Sequence, residues 1–169
     1  MTASPARKRV VVGIDGSGHA AEALEWALEF AKPLGAEIIA VFAIPPPNYL
    51  EFGAGYGAPM LPPELDPVWR TEIQREFEED WCRRLRDSGV AYRMVIEDGR
   101  AASVIAAVAD REGADLVVVG RRGRGSVAEL VLGSVSHELT QHCKQPLVVI
   151  SKSTSMPRNE PALTAAVGG

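Results

Sequence analysis

Two short stretches of this chain carry residues suited to holding an anion. Gly120-Arg121-Arg122-Gly123-Arg124-Gly125-Ser126 closes an apolar run, and Gly133-Ser134-Val135-Ser136 opens a helical one. Glycine serves a phosphate in two ways. It tolerates positive φ, and without a Cβ it lets backbone N–H groups approach the oxygens. Gly133-Ser134 stands just ahead of the helical pattern Val135 to His142. A helix N-terminus offers free N–H groups and about half a positive charge, both favourable to an anion. Ser134 can cap that helix or donate to a phosphate. Arg121, Arg122 and Arg124 add local positive charge. Two glycines of G-x-x-G spacing are a weak signal alone, because they also suit a plain turn with arginines on a solvated face. Their placement after the most apolar run and before a Gly-Ser helix start favours the cradle.

A second candidate segment is Gly13-Ile14-Asp15-Gly16-Ser17, at the end of the first apolar run. If the two runs are neighbouring strands, both segments open into one crevice. Asp15 suits a ligand contact there, and equally an N-cap or turn. Neither segment is a Walker A loop, since no lysine lies between Gly120 and Ser134, and the glycines around Gly13 do not fit G-x-G-x-x-G. His19, His137 and His142 form no readable triad with a serine or cysteine. Trp26, Trp69 and Trp81 suit packing. Cys82 and Cys143 match no metal spacing and are expected to be reduced thiols.

The elements that must position these residues alternate in kind. Arg9 to Asp15, Glu37 to Ile44, Ala91 to Glu97, Ala114 to Gly120 and Pro146 to Ser151 read as strands. Gly18 to Leu34, Val68 to Ser88, Ala101 to Glu112 and Val135 to His142 read as helices. Pro45 to Pro67, rich in proline and glycine with Tyr49, Phe52 and Tyr56, reads as a long loop. Strand–helix alternation implies right-handed crossovers and a parallel sheet covered on both faces. In such a sheet, ligands bind beyond the carboxyl ends of the strands, where the strand order reverses.

Composition bounds the rest. The 169 residues suit one domain, and 46% hydrophobic with 24% charged residues suits a globular protein. A net charge of −4 gives no overall basic field for nucleic acid. No run is long and apolar enough for a membrane span, and no signal-peptide pattern follows the first residues, so a cytoplasmic protein is expected. Residues 1–8 read as an N-terminal extension, 9–151 as the domain and 152–169 as a disordered tail.

The spacing Gly120-x2-Gly123-x9-Gly133-Ser134 resembles the G-2x-G-9x-G-[S/T] signature of the ATP-binding universal stress proteins. The segments VVVGIDGS, VVVGRRGRGS and LVLGSVSHEL resemble that family too, over roughly Arg9 to Ser151. The resemblance implies an open five-stranded parallel α/β sheet of order 3-2-1-4-5, Rossmann-like and similar to the adenine nucleotide alpha hydrolases. It implies ATP, with Mg²⁺, as the ligand of a regulatory stress-response protein, with slow hydrolysis at most. A slow ATPase, a binder of another adenine nucleotide such as cyclic AMP, and a non-nucleotide interaction module are the alternatives. By resemblance Asp15 reaches the ribose or a phosphate-bound metal, and Gly13 lets the chain pass close to the nucleotide. Ala43 offers backbone groups to the adenine edge, although Phe42 stands where the family often has histidine. Gly120 through Ser126, with Gly133, Ser134, Val135 and Ser136, surround the ribose and phosphates. A homodimer through Leu147 to Ile150 is implied, since an apolar edge strand is a liability unless paired. A glutamate at Gly120 or Gly133 is expected to abolish binding and leave the fold intact.

Overall fold

The computed structural model describes residues 7–46, 66–123 and 132–151. Five strands alternate with helices along the chain: β1 (Arg9–Gly13), α1 (Gly18–Leu34), β2 (Glu37–Ile44), α2 (Pro67–Glu76), a π-helical turn (Phe77–Trp81), α3 (Arg83–Asp87), β3 (Ala91–Asp98), α4 (Ala101–Glu112), β4 (Leu116–Gly120), α5 (Ser134–His142) and β5 (Leu147–Ile150). All neighbouring pairs are parallel, in the order β3-β2-β1-β4-β5, as the resemblance implied.

Val10, Val11 and Val12 are all buried, and so are Ile38, Ile39, Ala40 and Val41. Successive strand residues point to opposite faces, so uninterrupted burial requires cover on both sides. One face packs Val10, Val12, Ile38, Ala40 and Val118 against Ala23, Leu24 and Ala27 of α1 and against Ile73, Phe77 and Leu85 of the α2–α3 segment. The other packs Val11, Ile39, Val117 and Val119 against Ile105, Val108 and Ala109 of α4 and Leu139 of α5. The order reverses at β1, which has β2 on one side and β4 on the other. The register aligns Gly13 with Val41 and Gly120 with Ile150, so the glycines stand at one end of the sheet.

Local chemistry sets the boundaries. Ser17 caps α1 by accepting from the Ala20 amide at 3.2 Å, and Gly35 ends it at φ 59°. The single helix expected over Val68 to Ser88 is divided. Asp66 caps it, Pro67 takes its first position, and the Cys82 amide then donates to Phe77 O at 3.0 Å, a π-type bond. This turn sets Phe77 and Trp81 against the ring of Phe42, at centroid distances of 5.8 and 5.2 Å. The strand expected from Ala114 begins at Leu116. Asp115 is engaged elsewhere, accepting from Lys8 Nζ at 2.6 Å and the Arg9 amide at 2.9 Å.

Trp26 stacks on Phe30, and all three tryptophans pack against the core, as expected. Both cysteines are free thiols, and burial pushes the Cys82 thiol up to about 12, which makes it inert. Among the described residues no helix is long and apolar enough to cross a membrane. Residues 47–65, most of the proline-rich loop, lie outside the described residues, as do residues 1–6 and the tail 152–169.

Candidate ligand-binding site

At the carboxyl ends of β1, β2 and β4 lies a cavity of about 490 Å³. That is within the range of small-molecule sites. Gly13, Ile14 and Asp15 line it from the end of β1, Val41, Phe42 and Ala43 from β2, and Val119 and Gly120 from β4. Arg122, Gly123 and the run Leu132 to Ser136 close it on the β4–α5 side, and Ala20 of α1 with Ala101 and Ile105 of α4 complete it. The structure therefore brings together Gly13, Asp15, Ala43, Gly120, Arg122, Gly123, Gly133, Ser134, Val135 and Ser136 of the expected set. Arg124, Gly125 and Ser126 lie outside the described residues.

Arg121 stands apart, since it is a junction rather than part of the lining. Its amide donates to Ile150 O at 2.7 Å, and its carbonyl accepts from the Gly133 amide at 2.9 Å and from Ser136 Oγ at 3.0 Å. Ser136 is 1% exposed, and its hydroxyl also lies 3.0 Å from Gly133 O. One hydroxyl proton shared between two carbonyls ties the start of α5 to the end of β4. The tie leaves Ser136 a positioning residue for the cradle. Ser134 is not the cap: Gly133 holds the N-cap position with φ −62° and ψ 155°, and Ser134 is the first helical residue, exposed beside the cavity.

Asp15 makes the turn ahead of the Ser17 cap and also lines the cavity. Oδ1 accepts from the Ser17 amide at 2.9 Å, the turn that leads into α1. Its other oxygen, Oδ2, stands against Gly123, where an added Cβ would come within 2.6 Å.

The glycines need correction. None of Gly13, Gly120, Gly123 or Gly133 has positive φ; Gly16, Gly35, Gly89, Gly99 and Gly113 do. What the cavity glycines provide is the missing Cβ, and the space it vacates is filled largely by protein. At Gly120 a Cβ would lie 2.7 Å from the backbone carbon and oxygen of His19. At Gly133 it would lie 3.0 Å from Arg121 O and 3.1 Å from Arg122 Cα, and at Gly13 it would lie 2.8 Å from Ile105 Cδ1. A glutamate at Gly120 would thus drive its own Cβ into the first turn of α1, while one at Gly133 would press tightly on the Arg121–Arg122 backbone. At Gly120 that clash weighs against the expected intact fold, whereas at Gly133 a shift of a few tenths of an ångström would admit the side chain. These glycines let α1, α4 and α5 close down on the strand ends, and the cavity is what remains between them.

Val41, Ala101, Ile105, Val119 and Leu132 were not among the expected site residues. Ala101 and Ile105 had a usable signal. In a parallel sheet the helix after β3 must start at the carboxyl end of the strands, so its first turns face the crevice. Leu132 carried no signal apart from its place before Gly133.

A family model described as the universal stress protein family matches residues 6–151. The chain belongs to the universal stress protein family. A family member from Bacillus subtilis, the universal stress protein YxiE, is 28% identical over 145 residues, covering 84% of this chain and 97% of that protein. Among solved structures, MJ0577 shares the fold with a TM-score of 0.69 at 22% identity, over 88% of this chain and 98% of the other. A universal stress protein solved in complex with cAMP is 27% identical, with a TM-score of 0.58 over 88% of this chain and 99% of that one.

Proposed function

We propose that the cavity binds an adenine nucleotide, ATP with Mg²⁺ in the first instance, and that occupancy rather than turnover is the protein's output in a stress response. The observation that carries this is the convergence of Arg122, Gly123 and the start of α5 on one cavity, with the Asp15 carboxylate against Gly123. The amides and dipole of a helix start favour an anion, and an arginine adds charge-assisted donors. The relative solved with cAMP supports an adenine nucleotide as the ligand class.

The residues fit the full ligand. Ala43, Val41, Ile105 and Val119 give one side of the cavity an apolar wall suited to a base. Ser134 and Arg122 stand on the phosphate side. Among the described residues no cluster of three metal-ligating side chains occurs. A single carboxylate, Asp15, suits Mg²⁺, which binds chiefly to phosphates and water. When bound, the metal supplies charge neutralisation for the phosphates.

Hydrolysis is the weaker reading. It needs a group that orients the attacking water. Asp15 is the one carboxylate in the described lining, and one of its oxygens is held by the Ser17 amide. Cyclic AMP or AMP would use the base and ribose contacts and leave Ser134 partly idle. Calorimetry with ATP, ADP, AMP and cyclic AMP distinguishes these readings. Tightest binding of ATP supports the proposal, and equal affinity for all four overturns the role given to the start of α5.

The edge strand β5 is apolar along its whole length, Leu147–Ile150, and pairs only with β4 among the described residues. We read it as the contact of a homodimer, formed by antiparallel pairing across a two-fold axis. A strict monomer by light scattering at micromolar concentration excludes that contact. We further propose a cytoplasmic location, the expectation drawn from the sequence.

A further inference from the structure

The opposite edge of the sheet has a different character. Strand β3 spans eight residues, against four in β5, and among the described residues it pairs only with β2. Its side chains divide by face. Tyr92 and Ile96 pack on the side of α1 and α2, and Val95 packs on the side of α4. Arg93 and Glu97 also lie on the α4 side, where Arg93 pairs with Glu37 and Glu112, and Glu97 with Arg111. Beside the edge runs a cleft of about 410 Å³, floored by Ile44, Met94 and Ile96 and walled by Arg70 and Gln74 of α2 and Glu78 of the π-helical turn. Met94 is 38% exposed on that floor.

Edge strands are usually protected by charge. The charges on the α4 side of β3 do not protect it against a second β3, because Arg93 and Glu97 are of opposite sign and symmetric about Val95; the third charge of the strand, Asp98, lies on the other face, in a two-point pair with Arg70 of α2. We propose that β3 is a self-association edge, whose partner is β3 of a second copy of this chain, paired antiparallel about a two-fold axis at Val95. In that register Arg93 of each copy faces Glu97 of the other, on both sides of the axis. On the opposite face Met94 meets Ile96 twice, over the exposed floor of the cleft. Centring the axis one residue earlier sets Arg93 against Val95, and one residue later against Gly99, so neither alternative pairs the charges. The intramolecular pairs then join across the axis, from Glu112 through Arg93 to the other copy's Glu97 and Arg111. Directly opposed side chains on one face are the units that stabilise an antiparallel pair, and opposite charges there attract.

This surface is separate from β5 and from the nucleotide cavity; association through β5 would leave R93E and E97R unaffected, so the loss in each variant and its recovery in the mixture, rather than the rise in mass alone, report on β3. The full chain is studied by sedimentation velocity across a series of rising concentrations, as wild type, as R93E, as E97R, and as an equimolar mixture of the two variants. R93E sets glutamate against glutamate in a self-pair, and E97R sets arginine against arginine. In the mixture every facing pair is again of opposite sign. The expected result is concentration-dependent association in the wild type, about tenfold weaker in each variant alone, and recovered in the mixture. Recovery cannot come from the lost pairs of Arg93 with Glu37 and Glu112, because mixing does not restore them. A wild type whose mass does not rise with concentration overturns the proposal. So do single variants that associate like the wild type, and so does a mixture that stays at the level of its components.

Discussion

At the carboxyl ends of β1, β2 and β4 the chain sets glycine, alanine and valine around a cavity, with Asp15 and Arg122 as the charged side chains of its described lining. At the amino ends it sets Lys8, Arg9, Glu37, Arg93, Glu112 and Asp115 in a belt of ion pairs. The belt is redundant. Arg93 has two carboxylate partners, Glu37 has two arginine partners, and most members are exposed. The cavity end has no such redundancy. Its space depends on Cβ atoms that are missing at Gly13, Gly120 and Gly133, each facing a different neighbouring element. One end therefore spreads small stabilising terms over many residues, and the other concentrates steric requirements in a few. Substitutions should have unequal consequences at the two ends.

The largest effect is expected at Gly120. An alanine there must move the first turn of α1, because its Cβ would stand 2.7 Å from the His19 backbone, which has no flexible side-chain end to yield. Overpacking of this kind costs about 1–3 kcal/mol or more. Gly120→Ala should lower the free energy of unfolding by that amount, and Gly120→Glu should yield no folded protein. A Gly120→Glu variant as stable as wild type would show that the packing reading is wrong.

The pairing of β1 with β4 shows how much could be read in advance. Strand identities followed from β-branched runs, because a strand buried on both faces can hold little else. Strand alternation and the switch-point rule made the convergence of Asp15 with Gly123 conditional on β1 and β4 being neighbours, and the strand order came only from the family resemblance. The purpose of the glycines did not follow. Whether a missing Cβ makes room for a ligand or for another helix depends on interhelix distances that no local pattern encodes. The π-helical turn was equally hidden, since the stripe of Ile73, Phe77, Trp81 and Leu85 suits an unbroken helix. The turn sets Phe77 and Trp81 against the ring of Phe42, a partner distant in sequence.

A smaller effect, confined to binding, is expected at Arg122. It lines the cavity and lies between the junction residue Arg121 and Gly123. Arg122→Ala should weaken ATP binding about tenfold, the loss of roughly one charge-assisted contact of ~1.4 kcal/mol. It should weaken AMP binding less and leave the free energy of unfolding within ~0.5 kcal/mol of wild type. Calorimetry and chemical denaturation on the same samples check both halves. Equal losses for ATP and AMP would remove Arg122 from the phosphate side.

Ser136 joins the two kinds of behaviour, being buried at the cavity end while acting through hydrogen bonds. Ser136→Ala removes the donor shared by Arg121 O and Gly133 O and should cost about 1 kcal/mol of stability. Ser136→Cys keeps a donor at the same position, but a weaker one, and should give an intermediate loss. ATP affinity should fall with Ser136→Ala as well, because the start of α5 loses its tie to β4. Unchanged stability would show that the Gly133 amide bond to Arg121 O suffices on its own.

The smallest single effects belong to the belt, and they appear as a dependence on pH. The Arg93 guanidinium holds the Glu112 carboxyl below its ordinary range, and Lys8 with the Arg9 amide does the same for Asp115. A carboxylate with a depressed folded-state pKa binds fewer protons in the folded than in the unfolded protein. Its stabilisation is therefore complete above the unfolded pKa and is lost as pH falls through the folded one. Stability should decline on acidification from about pH 5 downward, through and below the ordinary carboxylate range. Exposure and solvent screening limit each pair to a few tenths of a kcal/mol, ~1 at most. Asp115→Asn should accordingly lower the midpoint slightly at neutral pH and flatten the acid slope, and Glu112→Gln should do the same. Added salt should shrink both differences, whereas the defect of Gly120→Ala, being steric, should persist at every pH and ionic strength. Denaturation curves of the three variants from about pH 7 to about pH 3 test that contrast. An acid slope unchanged by either belt substitution would place the titrating groups elsewhere in the protein.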